Sequence, residues 1–239
     1  MPGSVAGAPG GGWEPFAARW AKSHGGFDPR TSSAPVRAWF RLTYLTGRAL
    51  AGMRVSPDVV TAVGLGFSLL VPIVAFVGGA WMFVAAGLVV VAAIADSADG
   101  AVAVLSERST ALGAYRDSVA DRISEAAWLV GLWLAGNGGW GSGGLGLLVA
   151  VCGALAWLHE YMRARAIACG LPGIGVVTVA ERPTRVIVVV AAFLFGGLAW
   201  LINPKLTPGA ITVILAFWAL LSLLGTLKLN GAIRAGLRT

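Results

Sequence analysis

From residue 58 to residue 228 the chain alternates long apolar runs with short polar breaks. The runs cover approximately 58–78, 80–104, 112–136, 143–168, 184–203 and 208–228. Each is long enough to cross a hydrocarbon core of about 30 Å, which takes about 20 helical residues. Backbone polar groups in lipid need partners within their own segment, so the six runs are predicted as membrane-spanning helices. Residues 35–54 follow a different period. Arg37, Arg41 and Arg48 share a side there, and Trp39, Phe40, Tyr44 and Leu45 supply apolar bulk. This pattern predicts an amphipathic helix lying on the cytoplasmic face, with packing on the bundle as a compatible alternative. Residues 1–34 are rich in Gly, Ala and Pro with scattered charge. They lack the basic start and apolar core of a secretory signal and are expected to be a disordered cytoplasmic tail with no targeting role. The expected organisation is thus a tail over 1–34, an interfacial helix over 35–54 and a six-helix membrane domain over 55–239. The fold class is all-α integral membrane.

Composition agrees. The chain is 57% hydrophobic and 12% charged, far from a soluble globular domain. The net charge of +7 is not a nucleic-acid signal, because the basic residues flank apolar runs and form no basic domain. All but Lys205 of the 18 Lys and Arg lie on or near one side, which also holds both termini and the 104–116 and 169–183 loops. The positive-inside rule makes that side cytoplasmic, and an even number of spans fits it. Cys152 and Cys169 fall on one predicted helix, about 25 Å apart, too far to pair.

Four of the six aspartates crowd into residues 96–121. Asp96 and Asp99 are spaced i,i+3 near the end of the second run, and Asp117 and Asp121 i,i+4 near the start of the third. Both spacings place two side chains on one helix face. A short connection makes the two helices antiparallel neighbours, so the four carboxylates meet near the cytoplasmic end. Clustered carboxylates in a low-dielectric site need compensation, and divalent metal supplies it. Oxygen-only ligands select Mg²⁺ or Mn²⁺, and four of them suggest two ions. Pairing with Arg108, Arg116 and Arg122 is a structural alternative. A cation pathway in a transporter is another, although the acids sit at one end and no internal repeat is visible.

At these residues the chain resembles the CDP-alcohol phosphotransferase family, whose signature is D-x2-D-G-x2-A-R-x8-G-x3-D-x3-D. The positions read Asp96, Asp99, Gly100, Ala103, Val104, Gly113, Asp117 and Asp121, and Val104 stands where the family has Arg. The resemblance implies an enzyme of phospholipid synthesis that moves a substituted phosphate from a CDP-alcohol, such as CDP-diacylglycerol, to a hydroxyl acceptor with release of CMP. It implies metal at Asp96, Asp99, Asp117 and Asp121, with Asp121 as general base. It implies CDP-alcohol contacts from Asp58, Thr61, Gly100 and Thr110. Arg108, one turn beyond Val104, is a candidate substitute for the missing Arg. The resemblance also implies a homodimer in a bacterial plasma membrane, with a cytoplasmic active site.

A second basic constellation is HEYMRARAIACG with VAERPTR. Arg163, Arg165, Arg182 and Arg185 suit bidentate binding of a phosphorylated acceptor; positive-inside flanking explains them equally well. The segments DRIS, RARA and ERPTR are similar to those of actinobacterial phosphatidylinositol phosphate synthases. That similarity implies an inositol phosphate acceptor, with Lys228 adding to the pocket. Glycerol phosphate as acceptor, a non-catalytic family member and a cation-coupled transporter remain the rival readings. His159 and Glu160 lack the second His of a metalloprotease motif, because position 163 is Arg.

Overall fold

The computed structural model describes residues 12–23, 27–137, 143–171 and 178–238. Among them every regular element is helical. The helices are α1 (Trp13–Ser23), α2 (Ala34–Gly52), α3 (Pro57–Val77), α4 (Trp81–Leu105), α5 (Ala111–Asn137), α6 (Gly143–Ala168), α7 (Arg182–Ile202) and α8 (Thr207–Gly236). Short 3₁₀ turns cover Pro29–Thr31 and Pro204–Leu206. Helices α3 to α8 follow the six apolar runs closely, except that α8 continues past 228 to Gly236.

Among the described residues five helices are long and apolar enough to cross a membrane: α3, α4, α6, α7 and α8 with its preceding turn. Helix α5 has 27 residues, but Arg116, Asp117, Asp121, Arg122 and Glu125 in its first part lower its hydropathy. Large apolar side chains point outward along the bundle, including Ile73 at 65%, Phe76 at 73% and Ile202 at 80% exposure. So much outward apolar surface is unfavourable in water and favourable in lipid. The chain is an integral membrane protein.

Helix ends shape the loops that carry the chemistry. Proline in the first turn starts α2, α7 and α8, where its missing N–H costs nothing. At their ends α2, α4 and α6 close alike. Val55 N–H donates to Leu50 O (3.1 Å), Arg108 N–H to Ala103 O (3.0 Å) and Leu171 N–H to Ala166 O (3.1 Å). The residue before each donor has positive φ: Arg54 at 60°, Glu107 at 56° and Gly170 at 94°. Glycine is the usual residue in this closure, so Arg54 and Glu107 hold it under strain. These turns deliver Ser56–Pro57 and Ser109–Thr110 directly after α2 and α4.

The chain divides into two compact units, one of residues 1–65 and 92–121, the other of 66–91 and 122–239. In the first, α1 packs on α2 and α4. Phe16, Tyr44, Ala101, Val104 and Leu105 form a buried cluster, with Trp13, Trp20 and Ala51 against it. Phe16 and Tyr44 rings lie 5.2 Å apart, and Trp20 meets Phe40 edge-on at 5.2 Å. The expected disordered tail is therefore corrected over residues 13–23. Trp13, Phe16, Ala17 and Trp20 recur at helical spacing, and that apolar stripe offsets the entropy of ordering the segment. Residues 1–11 and 24–26 lie outside the described residues. Helices α2 and α4 touch closely at Gly47, where a Cβ would fall 2.6 Å from Ala101 Cβ. Asp28 caps the Pro29–Thr31 turn. The Arg30 guanidinium beside it holds its carboxyl below the usual carboxylate range.

The second unit has its own core of large buried side chains, among them Trp128, Phe193, Ile211, Leu215 and Trp218. Cys152 is buried there and its thiol donates to Leu215 O (3.4 Å), while Cys169 is exposed; both are free thiols.

Candidate active site

Helices α3, α4 and α5 and the loops before α3 and α5 build the site in the first unit. Asp96 lies on α4, and Asp117 and Asp121 lie on the first turns of α5. One carboxylate oxygen from each falls within 4.8 Å of the others, and all three residues are half-buried. Asp99 takes a different position. It is only 5% exposed and accepts a hydrogen bond from Thr61 Oγ1 on α3. The structure thus gathers three of the four expected carboxylates into one ligand-sized group and ties the fourth to a neighbouring helix. The donor set is purely oxygen and anionic, which fits a hard divalent cation.

Beside this group opens a cavity of about 400 Å³, within the range of small-ligand sites. Asp58, Thr61, Gly100, Arg108 and Thr110 all line it, with Ser56, Ser109, Val104, Asp99 and Asp117. The five residues expected to meet a CDP-alcohol are therefore brought to one space. Local interactions fix several of them. Thr110 caps α5, its Oγ1 accepting from Gly113 N–H at 3.0 Å. Asp58 pairs with Arg116, both about half exposed. Gly113 matters sterically, since a Cβ there would meet Thr110 Oγ1 at 3.1 Å.

Val104 is 8% exposed and belongs to the Phe16–Tyr44–Leu105 cluster. Arg108, one turn later, is exposed and lines the cavity. A guanidinium is thus present at the cavity, supplied from the loop after α4.

The second unit holds the other basic constellation. Arg185 on α7 is 1% exposed. Its guanidinium donates to Glu125 Oε1 (2.9 Å), Glu160 Oε1 (2.8 Å) and the Ala180 carbonyl (2.9 Å). Glu125 also pairs with Arg122 at 2.9 Å. Arg163 pairs with Glu181, which in turn accepts from Thr178 N–H (3.0 Å). His159 is fully buried, with Nε2 2.9 Å from Thr178 Oγ1. Arg163 and Arg185 are therefore already paired with carboxylates, Arg182 is half-buried, and Arg165 and Lys228 are exposed. Residues 172–177, part of the predicted 169–183 loop, lie outside the described residues.

Sequence reasoning missed two parts of this arrangement. One is Trp20 with Phe16, whose signal is the three- and four-residue spacing of the aromatics in 13–20. The other is the pairing of Arg185 with Glu125 and Glu160, partners 60 and 25 residues away, for which no local pattern exists.

Comparison with known proteins follows the same residues. The model of the CDP-alcohol phosphatidyltransferase family matches residues 54–225. The phosphatidylinositol phosphate synthase of Mycobacteroides abscessus is 34% identical over 158 residues, 66% of this chain and 70% of that one. The archaetidylinositol phosphate synthase of Methanothermobacter thermautotrophicus is 35% identical over 131 residues, 55% of this chain and 62% of that one. A crystal structure of the Mycobacterium tuberculosis phosphatidylinositol phosphate synthase with CDP-DAG bound superimposes with a TM-score of 0.63 at 27% identity, covering 81% of this chain and 94% of that chain. The same enzyme in complex with manganese and citrate gives 0.65 at 26%, covering 80% and 88%.

Proposed function

The chain belongs to the CDP-alcohol phosphatidyltransferase family, and from that premise we propose that it transfers a phosphatidyl group from CDP-diacylglycerol to a hydroxyl of an inositol phosphate, releasing CMP. The observation that carries this reading is the joining of one acid-walled cavity to an all-oxygen ligand group in the first unit. The relatives named for phosphatidylinositol phosphate and archaetidylinositol phosphate synthesis support the choice of acceptor.

In this reading the CDP moiety occupies the cavity lined by Asp58, Thr61, Gly100, Arg108 and Thr110. Arg108 serves the phosphates in place of the signature Arg. Asp96, Asp99, Asp117 and Asp121 hold Mg²⁺ or Mn²⁺, as two ions, which offset the charge of the diphosphate. Asp121 takes the proton from the acceptor hydroxyl. The freed oxygen attacks the β-phosphorus, a new P–O bond forms, and the bond from that phosphorus to the bridging oxygen of CMP breaks. The acceptor phosphate is bound by Arg165, Arg182 and Lys228. Arg163 and Arg185 are committed to Glu181 and to Glu125 with Glu160 and act as positioning residues within the second unit.

The membrane arrangement is part of the proposal. Helix α5 is the sixth span, its charged first turns facing the protein interior. Helix α2 lies at the interface, with α1 on its cytoplasmic side. Both termini and the active site face the cytoplasm, and the protein works as a homodimer in a bacterial plasma membrane.

The test is CMP release from CDP-diacylglycerol by the detergent-solubilised chain against inositol phosphate, inositol, glycerol phosphate and serine. Mg²⁺-dependent release with inositol phosphate alone is the expected result. Release with glycerol phosphate alone reassigns the acceptor, and release with none sinks the enzymatic reading.

A further inference from the structure

Helix α1 lies upstream of the segment that matches the family model, yet it packs directly against the catalytic part of α4. Phe16 is fully buried and shares a cluster with Ala101, Val104 and Leu105. Trp20 covers Gly100, where a Cβ would come within 3.3 Å of the Trp20 ring. Beside that contact lies a second cavity, of about 200 Å³. Trp20, Trp39 and Phe40 line it together with Asp96, Asp99 and Asp117. Asp99, Gly100 and Asp117 border the larger cavity as well. The acids of the ligand group thus have an indole among their neighbours, and α1 supplies it.

The same packing accounts for Val104. Val104 borders the larger cavity but is only 8% exposed and joins the cluster of Phe16, Tyr44 and Leu105, where an aliphatic side chain packs without desolvating a charge. Val104 and Phe16 form one joint, and Trp20 sits one turn along α1 from that joint.

We infer that α1 walls the smaller, acid-lined cavity adjoining the catalytic one and that Trp20 is a positioning residue for the CDP-alcohol. Its indole lines the smaller cavity together with Asp96, Asp99 and Asp117, and Phe16, packed in the α2–α4 cluster with its ring 5.8 Å from Trp20, holds the indole in place. An indole is large and rigid, so it excludes water from a charged site at little entropic cost. Excluding water strengthens the attraction between the acid-bound cations and the diphosphate. A wall that acts on the bound diphosphate changes substrate affinity more than turnover. The inference rests on the proposed transfer for the identity of its substrate.

The experiment uses the full chain in detergent micelles and three readouts: KM and kcat from CMP release, Kd for CDP-diacylglycerol by calorimetry with Mn²⁺ present, and binding of Mn²⁺ alone by electron paramagnetic resonance. Trp20→Ala is expected to raise KM and Kd about tenfold, with kcat within about twofold and Mn²⁺ binding unchanged, the pattern of lost ground-state binding. Trp20→Phe should recover most of the loss. Trp218→Phe, at a buried position in the other unit, should lower the thermal midpoint and leave KM alone. Should Trp20→Ala not fold, Trp20→Leu keeps apolar bulk without the flat face and is expected to weaken Kd likewise. A Kd within about twofold of the parent in the folded Ala or Leu variant overturns the inference, as does an equal KM change in Trp218→Phe. A parent that binds CDP-diacylglycerol without releasing CMP would refute the proposed transfer, and the Kd comparison would still decide the role of Trp20.

Discussion

Thr61 on α3 donates its hydroxyl to Asp99 on α4, a carboxylate that is only 5% exposed. The bond ties the first turns of α3 to the acid-bearing turn of α4. Replacing Thr61 by Val keeps the shape and removes the donor, which leaves a buried carboxylate oxygen without this partner. Thr61→Val should therefore lower stability by about 1–3 kcal/mol, the cost of an unmet buried polar group. Thr61→Ser should recover most of that. Thermal unfolding in detergent measures both, and equal midpoints for Val and the parent would contradict the argument.

The group formed by Asp96, Asp117 and Asp121 leads to a second expectation. Chelation should abolish CMP release, and Mg²⁺ or Mn²⁺ should restore it. Asp121→Asn should cost roughly 10²–10⁴-fold in kcat, the range for a lost general base, with circular dichroism unchanged. Asp96→Asn, which removes a ligand without removing the base, should weaken Mn²⁺ binding, as Asp121→Asn should too. Intact turnover in Asp121→Asn would remove that residue from the proton-transfer role.

Much of this arrangement was legible in the chain. Six apolar runs fix α3 to α8 because lipid leaves a helix of known length as the solution for each. The spacings 96/99 and 117/121 place the acids on helix faces. What followed from contacts between distant segments was not legible. Asp99 lies beside the other acids but is tied to Thr61, 38 residues earlier, a partner that local spacing does not reveal. The expectation of a disordered start failed because three aromatics in a Gly- and Ala-rich tail find a cluster on α2 and α4 that the tail's own composition does not reveal. Helix α5 matches the predicted 112–136 run in length, but the charges in its first part keep it out of the five helices apolar enough to cross a membrane.

Arg185 and Arg182, three residues apart, should behave differently. Arg185 is buried between Glu125 and Glu160. Arg185→Met removes one member of a buried ion network and should destabilise by about 3–5 kcal/mol. The Glu125→Leu plus Arg185→Met double variant should recover part of that loss, because it removes both buried charges. Arg182→Ala should cost less stability than Arg185→Met and raise KM for the phosphorylated acceptor. Unfolding curves and acceptor titrations on the same preparations separate the two roles. A stable Arg185→Met protein with a raised acceptor KM would make Arg185 an acceptor ligand instead.

The positive φ of Arg54 and Glu107 sets two opposing effects against each other. A side chain in the left-handed region costs about 1–2 kcal/mol relative to Gly, so glycine at either position should relieve strain. Arg54 (φ 60°) ends α2, and Arg54→Gly should stabilise by about 1 kcal/mol. Glu107 (φ 56°) also faces Arg19 at 3.7 Å, but its side chain is 83% exposed. An exposed pair at that distance contributes about 0–1 kcal/mol and fades with salt. Glu107→Gly should therefore stabilise less than Arg54→Gly at low ionic strength, and the two gains should converge as salt is raised. Thermal midpoints of both variants at low and high salt decide the point. Destabilisation by Glu107→Gly at high salt would mean that Glu107 holds α1 through more than its charge.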